Sequence, residues 1–209
     1  MLNTDVMTTH KIKIYDQLSD VDLVAPNLWE VDNCFAIQTF DWLYHVRETV
    51  GNEFFVSDTV KRLQLKSTMQ DQLRIQKIGA DMSESLSSIC GVPLRLMVAK
   101  YWIDMSGFGC FMHEDDNDIT VSYQVYVSTA IGQAIENHSQ IDPYAAKCLT
   151  SPETALKARG AKFYHCNPPY EICFKPNHGY INLNTDLKTH DVAITADIRV
   201  SVIFQYSRV

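Results

Sequence analysis

No stretch of this 209-residue chain approaches the roughly 20 consecutive apolar residues of a membrane span. Its opening, "MLNTDVMTTHKIKIYDQL", has no uninterrupted apolar run of signal-peptide length. The expectation is a soluble cytoplasmic protein. An excess of basic residues is also missing: 18 Lys and Arg stand against 25 Asp and Glu, a formal charge of -7. A general phosphate-backbone binder needs clustered cations to release counterions, so no nucleic-acid partner is expected beyond what a small basic patch could hold. The six cysteines contain no C-x-x-C, which removes zinc ribbons and thioredoxin-type sites and leaves reduced, buried small hydrophobes as their reading. Repeats, low-complexity tracts and Gly/Ser linkers are absent too, so the chain reads as a single domain, 1-209.

What is present is ordinary globular composition, 46% hydrophobic and 21% charged, long enough for one sizeable core. The first part, 1-92, reads as a helix-rich support region. In "CFAIQTFDWLYHVRETVG" Ile37, Phe40, Leu43 and Val50 fall near one helical face before Gly51. "EFFVSDTVKRLQLK" has strand content. Ser67-Thr68-Met69-Gln70 reads as a capping box opening a helix whose apolar positions Ile75, Ile78, Met82, Leu86 and Ile89 lead to Gly91. From Pro93 the pattern is of strands: "PLRLMVAKYWI", "ITVSYQVYVS", "GYINLNT", "HDVAI" and "IRVSVIFQY". A long insert at 129-175 carries one expected short helix, "SPETALKARG", and suits a lid or binding loop. Helices first and strands after predict an α+β chain whose sheets close into a sandwich or barrel. On "ITVSYQVYVS" the face of Thr120, Ser122, Gln124 and Tyr126 either meets solvent or lines a pocket inside that barrel.

Chemistry concentrates in "FGCFMHEDDND", 108-118. His113 and Asp115 are two apart, so an extended backbone sends both side chains the same way, where they could grip one ion; a solvated acidic turn is the competing reading. "DDND" lacks the glycine and downstream glutamate of an EF-hand loop. A third ligand is offered by His190, and Arg199 follows nine residues later. Two histidines and one carboxylate on one side of a metal form the usual iron(II) site of oxygen-activating enzymes without haem. Arginine's planar, permanently charged fork suits the carboxylate of an organic acid. Nine being odd, a bend near Thr195-Ala196-Asp197 is required if His190 and Arg199 are to face one site; Arg199 and Ser201 then project together while Val200, Val202 and Phe204 turn to the core. His178 reads as a surface or supporting residue, His165 with Cys166 and Cys173 matches no common zinc spacing, and His10, His45 and His138 carry no pattern.

These segments resemble the iron(II)- and 2-oxoglutarate-dependent oxygenases, in particular the prolyl-4-hydroxylase-like branch that includes the oxygen-sensing enzymes. The likeness rests on His113-Glu114-Asp115, on His190-Asp191-Val192 with Arg199 nine further on, on the tyrosine-bearing strand "MVAKYWIDMSGFGCFMHED" with Tyr101, and on "KPNHGYINLNTDLKTHDV" before the distal histidine. It covers residues 93 to 206.

The resemblance implies a double-stranded β-helix (jelly-roll, cupin-like) core over 93-209, with the N-terminal helices packed on one sheet. It implies that His113, Asp115 and His190 ligate Fe(II), and that Arg199, helped by Tyr126, pairs with the distal carboxylate of 2-oxoglutarate. Tyr101 would hydrogen-bond the cosubstrate near the metal, and Ser201 completes an R-x-S found in many members of the wider superfamily, though the oxygen-sensing branch generally differs there. With 2-oxoglutarate and O2 the outcome would be hydroxylation with release of succinate and CO2, since Asp115 is in place where halogenating relatives lack a carboxylate. The substrate implied is a prolyl residue in a peptide or protein, with a free amino acid or small metabolite as alternative; a modified base fits less well. A non-catalytic metal-binding barrel and a zinc hydrolase using the same three ligands are the competing classes. The protein is expected to be a monomer or homodimer.

Overall fold

Strict alternation along 121-127 builds the central strand of the molecule. The computed structural model describes residues 10-14, 17-46, 54-57, 62-104, 110-113, 115-128, 161-164, 166-172, 174-184, 190-192 and 199-209; over 10-20, 54-57, 110-113, 128 and 191-192 it describes the backbone alone. In chain order the elements are β1 (His10–Ile14), β2 (Gln17–Ala25), β3 (Leu28–Asp32), α1 (Ile37–Val46), β4 (Phe54–Ser57), β5 (Arg62–Leu65), α2 (Gln70–Asp81), α3 (Ser83–Cys90), β6 (Leu94–Asp104), β7 (Cys110–His113), β8 (Val121–Ser128), β9 (Ala161–Phe163), β10 (Tyr170–Glu171), β11 (His178–Leu183), β12 (His190–Val192) and β13 (Arg199–Arg208).

Nine strands form a major sheet in the order β1-β2-β3-β11-β8-β13-β6-β5-β4, and four form a minor sheet, β10-β9-β12-β7. The described chain is thus mostly sheet with few helices. The helices cover one face of the major sheet: Leu43, Ile75, Ile78 and Leu86 join Tyr123, Val125, Val202 and Phe204 in the larger core. The other face meets the minor sheet, where Tyr126, Tyr180 and Leu28 pack with Ala161, Phe163 and Ile172. Strand β8 is therefore buried on both faces: Ser122, Gln124 and Tyr126 are no more than 3% exposed, which rejects the solvent-facing reading of that polar stripe.

The N-terminal region departs from the helix-rich expectation. It contributes five strands, and β1 to β3 form an antiparallel meander docked on β11. A two-residue turn at Pro26-Asn27 makes the β2–β3 hairpin, with Asn27 at φ 62, a left-handed conformation asparagine tolerates. The expected capping box does not form: α2 is capped at Met69 without a side-chain hydrogen bond, because Lys66 to Met69 close a tight turn through Met69 N–H to Lys66 O, 3.1 Å. The single expected helix is two, joined at Met82, yet Met82 N–H still donates to Ile78 O, so the stripe Ile75-Ile78-Met82-Leu86 stays buried across the joint. Gly91, at φ 67, closes α3 as expected. On α1 the buried residues are Thr39, Leu43 and Val46, while Ile37 is 58% exposed, because the buried lead-in Cys34-Phe35-Ala36 sets the rotation of the first turn. Val50, Gly51 and the expected helix of 151-160 lie outside the described residues. The end of the insert supplies β9 and β10, which hold the minor sheet.

Helix α2 approaches the sheet most closely at Gly79, where an added Cβ would sit 2.6 Å from Phe204 Cδ1 and 2.9 Å from Leu96 Cδ1, while Tyr206 O–H donates to Gly79 O at 2.8 Å. Gly79→Val is expected to lift the helix from β13 and cost about 1–3 kcal/mol in urea unfolding, outweighing the gain in helix propensity.

Candidate metal centre and anion-binding end

Register fixes what faces the minor sheet. Ser201 lies opposite Tyr126 and Ile203 opposite Gln124 on β8; Tyr180 lies opposite Gln124 and Asn182 opposite Ser122 on β11; Arg199 lies opposite Asp104 on β6. Directly opposed residues of antiparallel strands share a face. One inner face thus carries Ser122, Gln124, Tyr126, Tyr180, Asn182, Arg199, Ser201 and Asp104, all buried.

At one end of that face stands Asp115, just past β7 and at the start of the exposed turn Asp116-Asn117-Asp118. The acidic cluster divides: three residues are solvated, and Asp115 turns in. Ser122 O–H donates to its Oδ2 at 2.7 Å and Asn184 Nδ2 at 3.1 Å. With Oδ2 engaged twice, Oδ1 faces His190 Nε2 at 4.0 Å, too far for a direct hydrogen bond. Neighbouring donor atoms about 2.1 Å from one ion stand roughly 3.0–3.4 Å apart, so the two side chains face each other as candidate ligands but would have to draw together by about 0.6–1 Å to share a metal. The imidazole of His190, 7% exposed, stacks on Phe163 with ring centroids 5.3 Å apart, and Phe163 meets Tyr180 edge-on at 5.1 Å. The backbone of His113 lies directly opposite that of His190 on β12. The side chain of His113 lies outside the described residues, and among the described residues no three His, Cys, Asp or Glu side chains converge on one point.

The other end holds charge. Arg199 is fully buried and gives Nη2–H and Nε–H to Asp104 Oδ2 at 2.6 and 3.0 Å, while Arg62 gives Nε–H to Asp104 Oδ1 at 2.6 Å. Burial pushes the Asp104 carboxyl up, but the guanidinium charges of Arg199 and Arg62 outweigh it and hold the group below the usual carboxylate range. The Arg199 guanidinium also lies 5.8 Å from the centroid of Tyr126. Tyr126 O accepts from Ala161 N–H at 2.8 Å, tying β8 to β9 and leaving the phenol its own proton to give. Burial pushes that phenol up to about 12, so it stays protonated. Between the two ends runs a short chain in which Tyr180 O–H donates to Gln124 Oε1 at 2.8 Å and Gln124 Nε2 donates to Ser201 Oγ at 3.0 Å. Ser122 and Tyr126 are four residues apart on β8, so the ends are separated by roughly 13 Å along the strand.

Of the residues singled out by sequence, Asp115 and His190 come together at one end and Arg199, Tyr126 and Ser201 at the other. Tyr101 joins neither. It lies opposite Val202 and donates to Leu43 O at 2.8 Å, inside the helix-side core. An even step from Tyr101 stays on its own face, and the inner face of β6 belongs to Trp102 and Asp104. His178 is no surface residue: it is 3% exposed, with Nδ1 3.0 Å from Asp32 and Nε2 3.2 Å from Glu30. The bend at 195-197 and the residues His165 and Cys173 lie outside the described residues. Sequence reasoning missed Arg62, Asp104, Asn184 and Phe163. Only Asp104 left a signal, a carboxylate directly after the apolar run Tyr101-Trp102-Ile103.

Neither a family model nor a curated protein sequence matches the chain. Solved structures do. A prolyl hydroxylase from Trichoplax adhaerens, in complex with a hypoxia inducible factor oxygen degradation domain peptide fragment, aligns over 87% of this chain and 84% of its own at 11% identity and TM-score 0.61. A Pseudomonas putida prolyl-4-hydroxylase aligns over 88% and 93%, at 9% identity and TM-score 0.59. A non-heme α-ketoglutarate-dependent epimerase of nogalamycin biosynthesis aligns over 87% and 78%, at 11% identity and TM-score 0.57. The chain therefore shares its fold with 2-oxoglutarate-Fe(II) oxygenase structures, prolyl hydroxylases prominent among them.

Proposed function

We propose that this fold, closed as a jelly-roll core, serves an iron(II)- and 2-oxoglutarate-dependent dioxygenase that hydroxylates a C–H bond, with a prolyl residue of a peptide or protein as first substrate. The observation that carries the reading is the pairing on one buried face of an Asp115–His190 donor pair at one end with the Arg199 guanidinium at the other. His113, His190 and Asp115 would hold the iron, which when bound supplies oxygen activation coupled to conversion of 2-oxoglutarate to succinate and CO2.

This chain's own residues do the rest. Ser122 and Asn184 pin one oxygen of Asp115, so the other keeps a fixed direction toward His190. Arg199, always cationic, binds the far carboxylate of the cosubstrate, with the Tyr126 phenol and the Ser201 hydroxyl beside it as donors. Phe163 and Tyr180 wall the metal end with rings and exclude water from it. The peptide preference draws on the two prolyl hydroxylase folds, whereas a small-metabolite substrate remains the alternative.

Anaerobic protein loaded with Fe(II) and then 2-oxoglutarate is expected to develop the weak visible absorption of a metal-bound 2-oxo acid. Under air with a proline-containing peptide it is expected to release succinate. A folded, metal-loaded protein that gives neither would move the zinc hydrolase and the non-catalytic barrel ahead. The pinning of Asp115 makes a separate prediction: Ser122→Ala should weaken Fe(II) or Co(II) affinity by roughly 10–100-fold with little change in melting temperature, as loss of a hydrogen bond behind a ligand does.

A further inference from the structure

An acceptor on the polar inner face goes unmatched among the described residues. Asn182 lies on β11 between Ser122 of β8 and Leu28 of β3, 1% exposed, and its Oδ1 is buried without a hydrogen-bond partner. A native interior leaves few such acceptors, because each has given up its hydrogen bond to water. The amide cannot cure this by turning over. Asn184 gives both N–H bonds of its own amide to acceptors, Asp115 Oδ2 at 3.1 Å and Ile119 O at 3.2 Å, so its Oδ1 is the atom that faces Asn182 and receives the Asn182 Nδ2–H. The neighbouring hydroxyl donors are spent as well: Ser122 O–H goes to Asp115 Oδ2 at 2.7 Å and Tyr180 O–H to Gln124 Oε1 at 2.8 Å. Asn182 Oδ1 is therefore held facing away from Asn184, in the layer between the sheets and beside the metal end.

2-Oxoglutarate cannot supply the donor, since its ionised carboxylates and its ketone are acceptors alone. We propose that Asn182 is a specificity-determining residue that reads the primary substrate, its Oδ1 accepting a hydrogen bond from a neutral peptide N–H. An amide oxygen offers a dipole and no charge, so it matches a neutral N–H in full, whereas the buried ammonium of a free amino acid would ask for a counter-charge. A prolyl residue has no N–H of its own, and the nearest backbone donor is the amide of the residue that follows it. The contact selects because it is dry: a substrate that lacks the donor leaves the oxygen stranded, and one that carries it satisfies both partners at once.

The inference rests on the oxygenase reading above, and the experiment separates the two. Acetyl-Ala-Pro-Gly-amide and its ester analogue, in which oxygen replaces the N–H after proline, are titrated calorimetrically into the full-length protein loaded with Co(II) and 2-oxoglutarate, as wild type and as N182L. Wild type is expected to bind the ester at least about tenfold more weakly than the amide. N182L is expected to bind both alike at the weaker level, because the two losses remove one contact and do not add, while its Co(II) affinity stays that of wild type. If N182L does not fold, the comparison of the two peptides on wild type decides alone. Four results each overturn the substrate-reading role and leave the oxygenase reading standing: equal binding of the two peptides by wild type, the sign that water meets the oxygen instead; a preference for the amide that survives in N182L; binding of neither peptide by a protein that takes up 2-oxoglutarate; and a loss of Co(II) affinity in N182L, which would make Asn182 a support for Asp115. A wild-type protein that binds no 2-oxoglutarate overturns both.

Discussion

Asp115→Ala is expected to lower 2-oxoglutarate turnover by at least about a hundredfold and to remove tight Fe(II) binding while the protein stays folded. The magnitude follows from the ligand role proposed for the carboxylate. Changes behind a metal ligand already cost 10–100-fold, so loss of the ligand oxygen itself costs no less. Retention of the fold follows from position: Asp115 opens an exposed turn, and its two donors are a hydroxyl from Ser122 and a side-chain amide from Asn184 that also reaches Ile119 O at 3.2 Å. Losing the acceptor leaves the buried Ser122 hydroxyl without it, a cost of about 1–3 kcal/mol that lowers the melting temperature but falls short of the 5–15 kcal/mol that holds a domain folded. Equilibrium Co(II) binding, succinate release and thermal melting of the metal-free protein check the three parts. Turnover that survives the substitution would place the chemistry elsewhere in the fold.

Asp104→Ala is expected to show the opposite profile, a large loss of stability. Removing the carboxylate leaves Arg62 and Arg199 buried side by side without their common counter-charge. Breaking a buried pair in this way costs about 3–5 kcal/mol, a large share of the 5–15 kcal/mol that holds a domain folded. The penalty depends on pH, with a defined sign. Burial alone would raise the Asp104 carboxyl, but Arg199 and Arg62 hold it below the ordinary value of 3.8. A carboxyl with a depressed folded pKa stabilises fully above its unfolded pKa and loses that contribution as pH falls through the folded value. Urea midpoints of wild type and variant should therefore stand far apart at neutral pH and converge only below pH about 3.8, the reference value for the unfolded chain. A gap that persists unchanged into strong acid would mean the carboxylate stabilises by packing rather than by charge.

How far these features were legible depended on which physical signal each one left in the chain. The alternation of Val121 to Val127 stated a strand with one polar and one apolar face, and burial on both sides explains why the polar face is Ser, Gln and Tyr rather than Lys and Glu. His113, Asp115, His190 and Arg199 stand out in the sequence because their types and spacing are those that an ion and a carboxylate would demand, and the structure brings Asp115 and His190 within 4.0 Å of each other. Strands β1 to β3 were missed because their flanking apolar residues are interrupted by acids at 20, 22, 30 and 32, and the turn rests on one Pro-Asn pair. Tyr101 was assigned to the wrong face because a tyrosine's chemistry is visible in sequence while a strand's parity relative to its neighbours is not; pairing Val202 with Tyr101 and Arg199 with Asp104 settles it. The Arg62–Asp104–Arg199 bridge joins three strands across the sheet, and no local pattern announces contacts of that range.

The placement of β8 bears on how the chain is made. In the finished sheet its two neighbours are β11 and β13, both later in sequence, with the whole of 129-177 emerging before the first of them. During synthesis at about 5–20 residues per second, this doubly buried strand waits several seconds before either of its partners has been made. The N-terminal meander cannot shelter it, because β3 docks on β11 and must wait as well. Vectorial synthesis thus delivers the partners last, and the yield of soluble protein in cells should respond to holdase chaperones and to slower translation more than to any stabilising change in the completed fold.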